Sequence, residues 1–216
     1  MNQALAIKEK LFARLVEENR LSHSFVFFGP PSSNKEKFAF SFAFFLEYGD
    51  FEINDKKPLF DSKIIAPTAE KKSIGIDEIR EIRHFLSENP LISKRRTIII
   101  NPSENLSWQA QAALLKIVEE PPLNSLIIFI ANDAQVLIAP LLSRLSKIFF
   151  SSDIVQANPE TKEGLAPEIE KAIIKLYLEN PIKNSREINF LLEKEELAKK
   201  LNLNEKIQKK AIETRF

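Results

Sequence analysis

Two short stretches of this sequence hold residues whose types and spacing could do chemistry. Gly29-Pro30-Pro31-Ser32-Ser33-Asn34-Lys35-Glu36 stands between an apolar run and a helical pattern, the place of a phosphate-cradling loop of the form G-x-x-x-x-G-K-[ST]. In that motif the glycines let backbone amides close around the phosphates, and the final hydroxyl holds Mg²⁺. Gly29 and Lys35 are in register, whereas Asn34 replaces the second glycine and Glu36 replaces the hydroxyl. A β-carbon at a loop position needing positive φ costs about 1–2 kcal/mol, a cost asparagine bears best. Glu36 would set a carboxylate beside a triphosphate. The stretch reads as a relic of a nucleotide site or as an ordinary turn and helix start, and both readings expect no working ATP site. The second stretch is Lys94-Arg95-Arg96, the densest basic cluster. It would touch DNA phosphates or a partner's acidic rim, or form a solvated turn ahead of a buried strand. His23 is accompanied by no nucleophile and reads as a residue held by its neighbours at the start of a strand.

The elements that must position these residues are legible from periodicity. Residues 97–100 and 126–131 are apolar without alternation, as in strands buried on both faces. Residues 25–28, 63–67 and 147–150 read as further strands. Between 97–100 and 126–131, residues 101–105 form a polar break and Ser107 is placed to cap a helix. In that helix Ala110, Ala113, Leu114, Ile117 and Val118 recur on one face, and Pro121-Pro122 ends it. Residues 4–18 read as an amphipathic helix with Ile7, Leu11, Phe12, Leu15 and Val16 on one face. Residues 37–46 continue a Phe-rich helix. Asp77 and Glu78 suit the first turn of another, which ends before Pro90. Alternating strands and helices of this kind predict an α/β domain with a parallel sheet over residues 1–155. Beyond Asp153 a linker and amphipathic helices predict a small helical lid over 156–216.

Composition bounds the rest. The 216 residues carry 31 basic and 30 acidic side chains, a net charge of +1, so no overall field points to nucleic acid. The absence of cysteine excludes disulfides, thiolate zinc sites and cysteine nucleophiles. No apolar run approaches the roughly 20 residues that span a bilayer, and no signal peptide is visible, so no membrane is expected and a cytoplasmic location is the default. The 17 phenylalanines are given no functional weight.

An ordered set of motifs carries a family resemblance. Residues 107–122, SWQAQAALLKIVEEPP, resemble the A-x-N-A-L-L-K-x-L-E-E-P-P block of clamp-loader AAA+ proteins. Phe129-Ile130-Ala131-Asn132 and Leu141-Leu142-Ser143-Arg144-Leu145 look like the sensor-1 strand and the Ser-Arg-Cys motif that follow it. Residues 74–80, IGIDEIR, resemble another family segment. The resemblance spans about residues 20–150 and is nearest to the delta-prime class within the bacterial DNA polymerase III clamp loader.

The resemblance implies an AAA+ domain of P-loop NTPase type, a helical lid, and a collar domain that the sequence to Phe216 does not contain. Where ATP-hydrolysing relatives carry an Asp-Glu pair for Mg²⁺ and the attacking water, this chain has Asn101 and Pro102, and Glu104 lies too late in the register to replace them simply. Gly29, Lys35 and Asn132 are then vestigial nucleotide-binding positions, with no metal and no cofactor of the chain's own. The segment 48–62, where many relatives hold zinc-binding cysteines, is expected to be metal-free or reduced. Ser143 and Arg144 correspond to a trans-acting arginine finger, which stabilises charge on a neighbour's ATP, and Leu145 replaces the family cysteine. The implied partners are a gamma/tau-type ATPase subunit, the delta subunit, the sliding clamp indirectly, and primed DNA in the assembled complex. Two alternatives stand beside this reading. One is an ATP-hydrolysing motor subunit of the gamma/tau type with an unorthodox loop. The other is a DNA-binding module using Lys94 to Arg96.

Overall fold

The structure is a computed structural model that describes residues 3–68 and 71–151. The lid expected over 156–216 lies outside the described residues. In chain order the elements are α1 (Gln3–Glu17), β1 (Ser24–Phe28), α2 (Lys35–Tyr48), β2 (Ser62–Ile65), α3 (Ile76–Ser87), β3 (Arg96–Ile100), α4 (Trp108–Glu119), β4 (Ser125–Ala131), α5 (Ala139–Leu142) and β5 (Ser146–Phe149). Short 3₁₀ turns at Ser103–Asn105 and Ala134–Val136 complete the described set. The strands form one sheet in the order β2-β3-β4-β1-β5, and every pairing is parallel. The expected parallel α/β architecture is observed.

Parallel strands need helical crossovers, and the helices cover both faces of the sheet. Side chains alternate across each strand, so the two faces have distinct cores. Val26, Ile98, Ile100, Ile127 and Phe129 pack with Ile79, Ile82, Phe85 and Leu86 of α3 and with Ala110, Leu114, Ile117 and Val118 of α4. On the other face Phe25 and Phe27 meet Phe12 of α1 and Phe38 of α2, with ring centroids 5.1–5.9 Å apart across this group. Phe12, Phe25, Phe27 and Phe38 are therefore packing residues.

Local chemistry fixes the ends of the helices. The Ser107 hydroxyl accepts from the Ala110 N–H at 3.2 Å and starts α4, while Glu78 Oε2 accepts from the Gly75 N–H at 3.0 Å at the start of α3. Gly49 closes α2 at φ +78°, where a β-carbon would be strained. The segment that follows is organised by a carboxylate. Buried Glu47 accepts from the Phe60 N–H, the Asp61 N–H and the Ser62 hydroxyl at 2.8–3.0 Å, and Phe51 stacks on Phe45 at 4.4 Å.

Because all strands run the same way, the sheet has two chemically different ends. The C-terminal end carries the loop after β1, the 3₁₀ turn after β3, and Asn132 after β4. The N-terminal end carries the end of α4 and the turn that leads into β5. A five-residue strand separates them by about 17 Å.

Gly29, the first residue after β1, has φ +149°, and a β-carbon there would lie 2.0 Å from the Phe150 carbonyl oxygen. That close approach locks the loop onto the segment after β5. Gly29→Ala is expected to destabilise the protein by about 3 kcal/mol or more, combining backbone strain and overpacking, as read from the midpoint of a urea transition. A midpoint within error of the parent would contradict the close approach.

Candidate functional site

Three positions of the loop after β1 offer no free amide donor to a phosphate. Pro30 and Pro31 have no N–H. The Ser33 N–H is turned onto the Pro30 carbonyl at 2.9 Å, and the Ser33 hydroxyl donates to the same oxygen at 2.7 Å. Lys35, the first residue of α2, is 2% exposed. Its ammonium donates to the Pro30 carbonyl at 2.9 Å and to Asn132 Oδ1 at 3.1 Å. Burial pulls the Lys35 pKa below the ordinary lysine value, against the opposing charges of Glu36 and Glu104. A lysine that would meet phosphates in a working loop is here committed to its own chain. Asn34 is not in the left-handed region: its φ is −78°. The expectation that asparagine relieves a positive φ at that position is corrected, since the loop makes its turn at Gly29 instead. Glu36 stands exposed on the first turn of α2.

The structure brings Gly29, Lys35 and Asn132 together at the C-terminal end of the sheet, and it adds Glu104. From the 3₁₀ turn after β3, Glu104 Oε1 accepts from the Asn132 N–H at 2.5 Å. Its Oε2 is buried without a hydrogen-bond partner. Register along the chain puts Glu104 too late to follow a metal-binding position, but the 3₁₀ turn at Ser103–Asn105 folds it back over the end of β4. No spacing rule in the sequence signals that turn. Among the described residues no group of three or more His, Cys, Asp or Glu side chains could hold a metal ion.

The basic cluster is neither a surface patch nor a solvated turn. Arg96 is 6% exposed. Its guanidinium lies 3.3 Å from Asp61 and from Glu88, donates to the carbonyls of Phe60 and Asn89, and sits 4.7 Å over the Phe85 ring. Half-buried Arg95 donates to the Leu21 carbonyl at 3.2 Å, and burial lowers its pKa. Of the three, Lys94 alone is exposed. The DNA-binding module built on Lys94 to Arg96 loses its basis, because a buried charge is retained only where it is paired. Asp61, fully buried, answers Arg96. Burial alone would push the Asp61 pKa up. Hydrogen bonds from the N–H groups of Leu91, Ser93 and Ile92, at 2.6–2.8 Å, together with the Arg96 charge, outweigh it and hold the pKa below the ordinary aspartate value. His23 Nε2 lies 3.1 Å from the Val118 carbonyl, consistent with a positioning role at the start of β1.

Ser143 and Arg144 lie at the N-terminal end of the sheet, in the turn between α5 and β5. The Arg144 side chain is 42% exposed. One terminal nitrogen donates to the Pro140 carbonyl at 2.8 Å and approaches the Ser143 hydroxyl at 3.3 Å, and the other pairs with Glu119 Oε1 at 2.7 Å. The Ser143 hydroxyl itself donates to the Pro140 carbonyl. Leu145, next in the chain, is buried. Both terminal nitrogens of Arg144 are thus engaged within the chain while the side chain stays partly exposed, at the far end of the strands from Lys35. The sequence named Arg144 and Ser143 but not Glu119, whose distance along the chain hides the pairing.

Comparison with known proteins follows the same residues. The profile of the family described as DNA polymerase III, delta subunit, matches residues 5–154. The chain is 30% identical over 84 residues to DNA polymerase III subunit delta′ of Escherichia coli, which covers 39% of this chain and 25% of that protein. It is 28% identical over 173 residues to replication factor C subunit 3 of Saccharomyces cerevisiae, covering 76% of this chain and 48% of the yeast protein. Among solved structures, a DNA polymerase III gamma-subunit-related protein from Thermotoga maritima superposes with a TM-score of 0.48 at 23% identity, over 92% of this chain and 64% of that one. The matched stretches span about a quarter to a half of these curated relatives.

Asp61→Asn is expected to destabilise the protein by about 3 kcal/mol at neutral pH, because it leaves Arg96 buried with a weakened partner. The sign of the pH dependence follows from the depressed pKa. The stabilisation is present above the unfolded-state value and is lost as pH falls through the folded-state value. The gap between parent and variant in a denaturant series is therefore expected to close below the ordinary aspartate range, and a gap that widens in acid would contradict the assignment.

Proposed function

This chain belongs to the DNA polymerase III, delta subunit family, and we propose that within it the chain is a clamp-loader subunit that does not hydrolyse ATP itself. Its part is to pack against an ATPase subunit of the gamma/tau type and supply Arg144 to the nucleotide bound there. The assembly would include the delta subunit, act on the sliding clamp, and place it on primed DNA during replication. The chain brings no nucleotide, metal or other cofactor of its own; the ATP belongs to the neighbour.

The observation that carries this reading is the separation of Lys35 from Arg144. The lysine that would bind phosphate is withdrawn into the fold and bonded to Pro30 and Asn132. The arginine stands exposed at the opposite end of the strands, where it could not reach that pocket. A guanidinium offers a fork of donors to a phosphate and neutralises charge that develops as the γ-phosphoryl group leaves. An arginine placed for a neighbour does not depend on a working pocket in its own chain. The engagement of Lys35 also weighs against the motor-subunit alternative.

In a reconstituted loader containing the full chain, Arg144→Ala is expected to lower DNA-stimulated ATP turnover at the adjacent site by on the order of 10³-fold. Arg144→Lys is expected to recover little, because an ammonium lacks the planar fork. Turnover and clamp loading at the parent level in Arg144→Ala would overturn the proposal.

A further inference from the structure

We infer that Glu119 is a positioning residue for Arg144, its carboxylate and the Pro140 carbonyl holding the guanidinium from two sides so that its open edge faces outward. The inference rests on the reading of Arg144 given above and extends it to a residue on a different element. Glu119 is the last residue of α4, 25 positions before Arg144 in the chain, and the two meet at 2.7 Å.

Two features argue that this pair is not there for stability. Both partners are substantially exposed, 42% and 40%, and solvent screens such pairs to little net effect. The position is also locally unfavourable for a carboxylate. The C-terminus of a helix carries partial negative charge and favours cations, and Lys116 in the same turn follows that rule. Glu119 breaks it. A residue that violates a local preference marks a functional constraint when some other contact accounts for it; here that contact is Arg144.

The geometry shows what the contact does. Arginine has a long, rotamer-rich side chain, and ordering it is a large part of the cost of using it. The Pro140 carbonyl and the Ser143 hydroxyl occupy one terminal nitrogen, and Glu119 fixes the other from a rigid helix end. The torsions are thus set before any neighbour arrives, while the exposed edge of the guanidinium stays available. Preorganised groups of this kind act without reorganisation at the moment of reaction. Glu119 touches no nucleotide in this scheme and acts through Arg144.

The test uses the reconstituted loader with the full chain carrying Glu119→Ala, Glu119→Gln, Arg144→Ala, or Glu119→Ala with Arg144→Ala. DNA-stimulated ATP turnover at the adjacent site is the readout. Glu119→Ala is expected to lower kcat by about tenfold, with KM for ATP within about twofold of the parent, as loss of an ordered rotamer predicts. Glu119→Gln keeps an acceptor oxygen and is expected to recover most of that loss. Adding Glu119→Ala to Arg144→Ala is expected to lower the rate no further. If Arg144→Ala is impaired while Glu119→Ala turns over at or above the parent rate, this inference is overturned and the proposed function stands. Losses that multiply in the double variant overturn it equally. Parent-level turnover in Arg144→Ala would remove the reading beneath it.

Discussion

The Lys35 ammonium, held between the Pro30 carbonyl and Asn132 Oδ1, is the interaction on which the arrangement of this molecule turns. It ties the loop after β1 to the end of β4, two neighbouring strands at the centre of the sheet. A buried cation needs partners, and the loop supplies one by pointing a carbonyl inward where a phosphate cradle points amides. Glu104 completes the cluster by accepting from the Asn132 backbone and adding negative charge near the lysine. At this end of the sheet Asn132 thus joins Lys35 to Glu104.

A second consequence follows from strand direction. In a parallel sheet the loops after the strands and the turns before them lie on opposite ends, so chemistry at one end is insulated from the other. α4 runs between them. Its capped N-terminus at Ser107 sits beside the segment after β3, and its last residue, Glu119, meets Arg144 near the start of β5. Twelve residues of helix span about 18 Å, enough to connect the two ends with one rigid rod. The buried apolar face of α4 against β3 and β4 fixes that rod in place. The exposed arginine therefore sits between packed elements, held at its guanidinium by Glu119 and Pro140, with the next residue, Leu145, buried.

Much of this was legible in the sequence, for identifiable reasons. The runs at 97–100 and 126–131 have no polar alternation, and strands covered on both faces need none. Ser107 and Pro121-Pro122 bound α4 through local backbone chemistry, which neighbours far away in the chain do not alter. Arg144 was named from its motif, and the structure places its side chain partly exposed in the turn before β5. Arg96 was misread because three adjacent basic residues look alike in sequence, while only a fold shows that Asp61 lies across from one of them. The positive φ assigned to Asn34 failed because the turn is made at Gly29, where the carbonyl of Phe150 leaves no space for a β-carbon. Glu104 and Glu119 were missed for a common reason. Each acts on a residue 25 or more positions away, and nothing in local periodicity encodes such a meeting.

The central claim is that this chain's own nucleotide position is occupied by its own lysine. Calorimetric titration of the intact chain with ATP and Mg²⁺ addresses it most directly. The account expects no saturable heat up to millimolar nucleotide, for the parent and for Lys35→Ala alike. Micromolar binding by the parent that disappears in Lys35→Ala would contradict it.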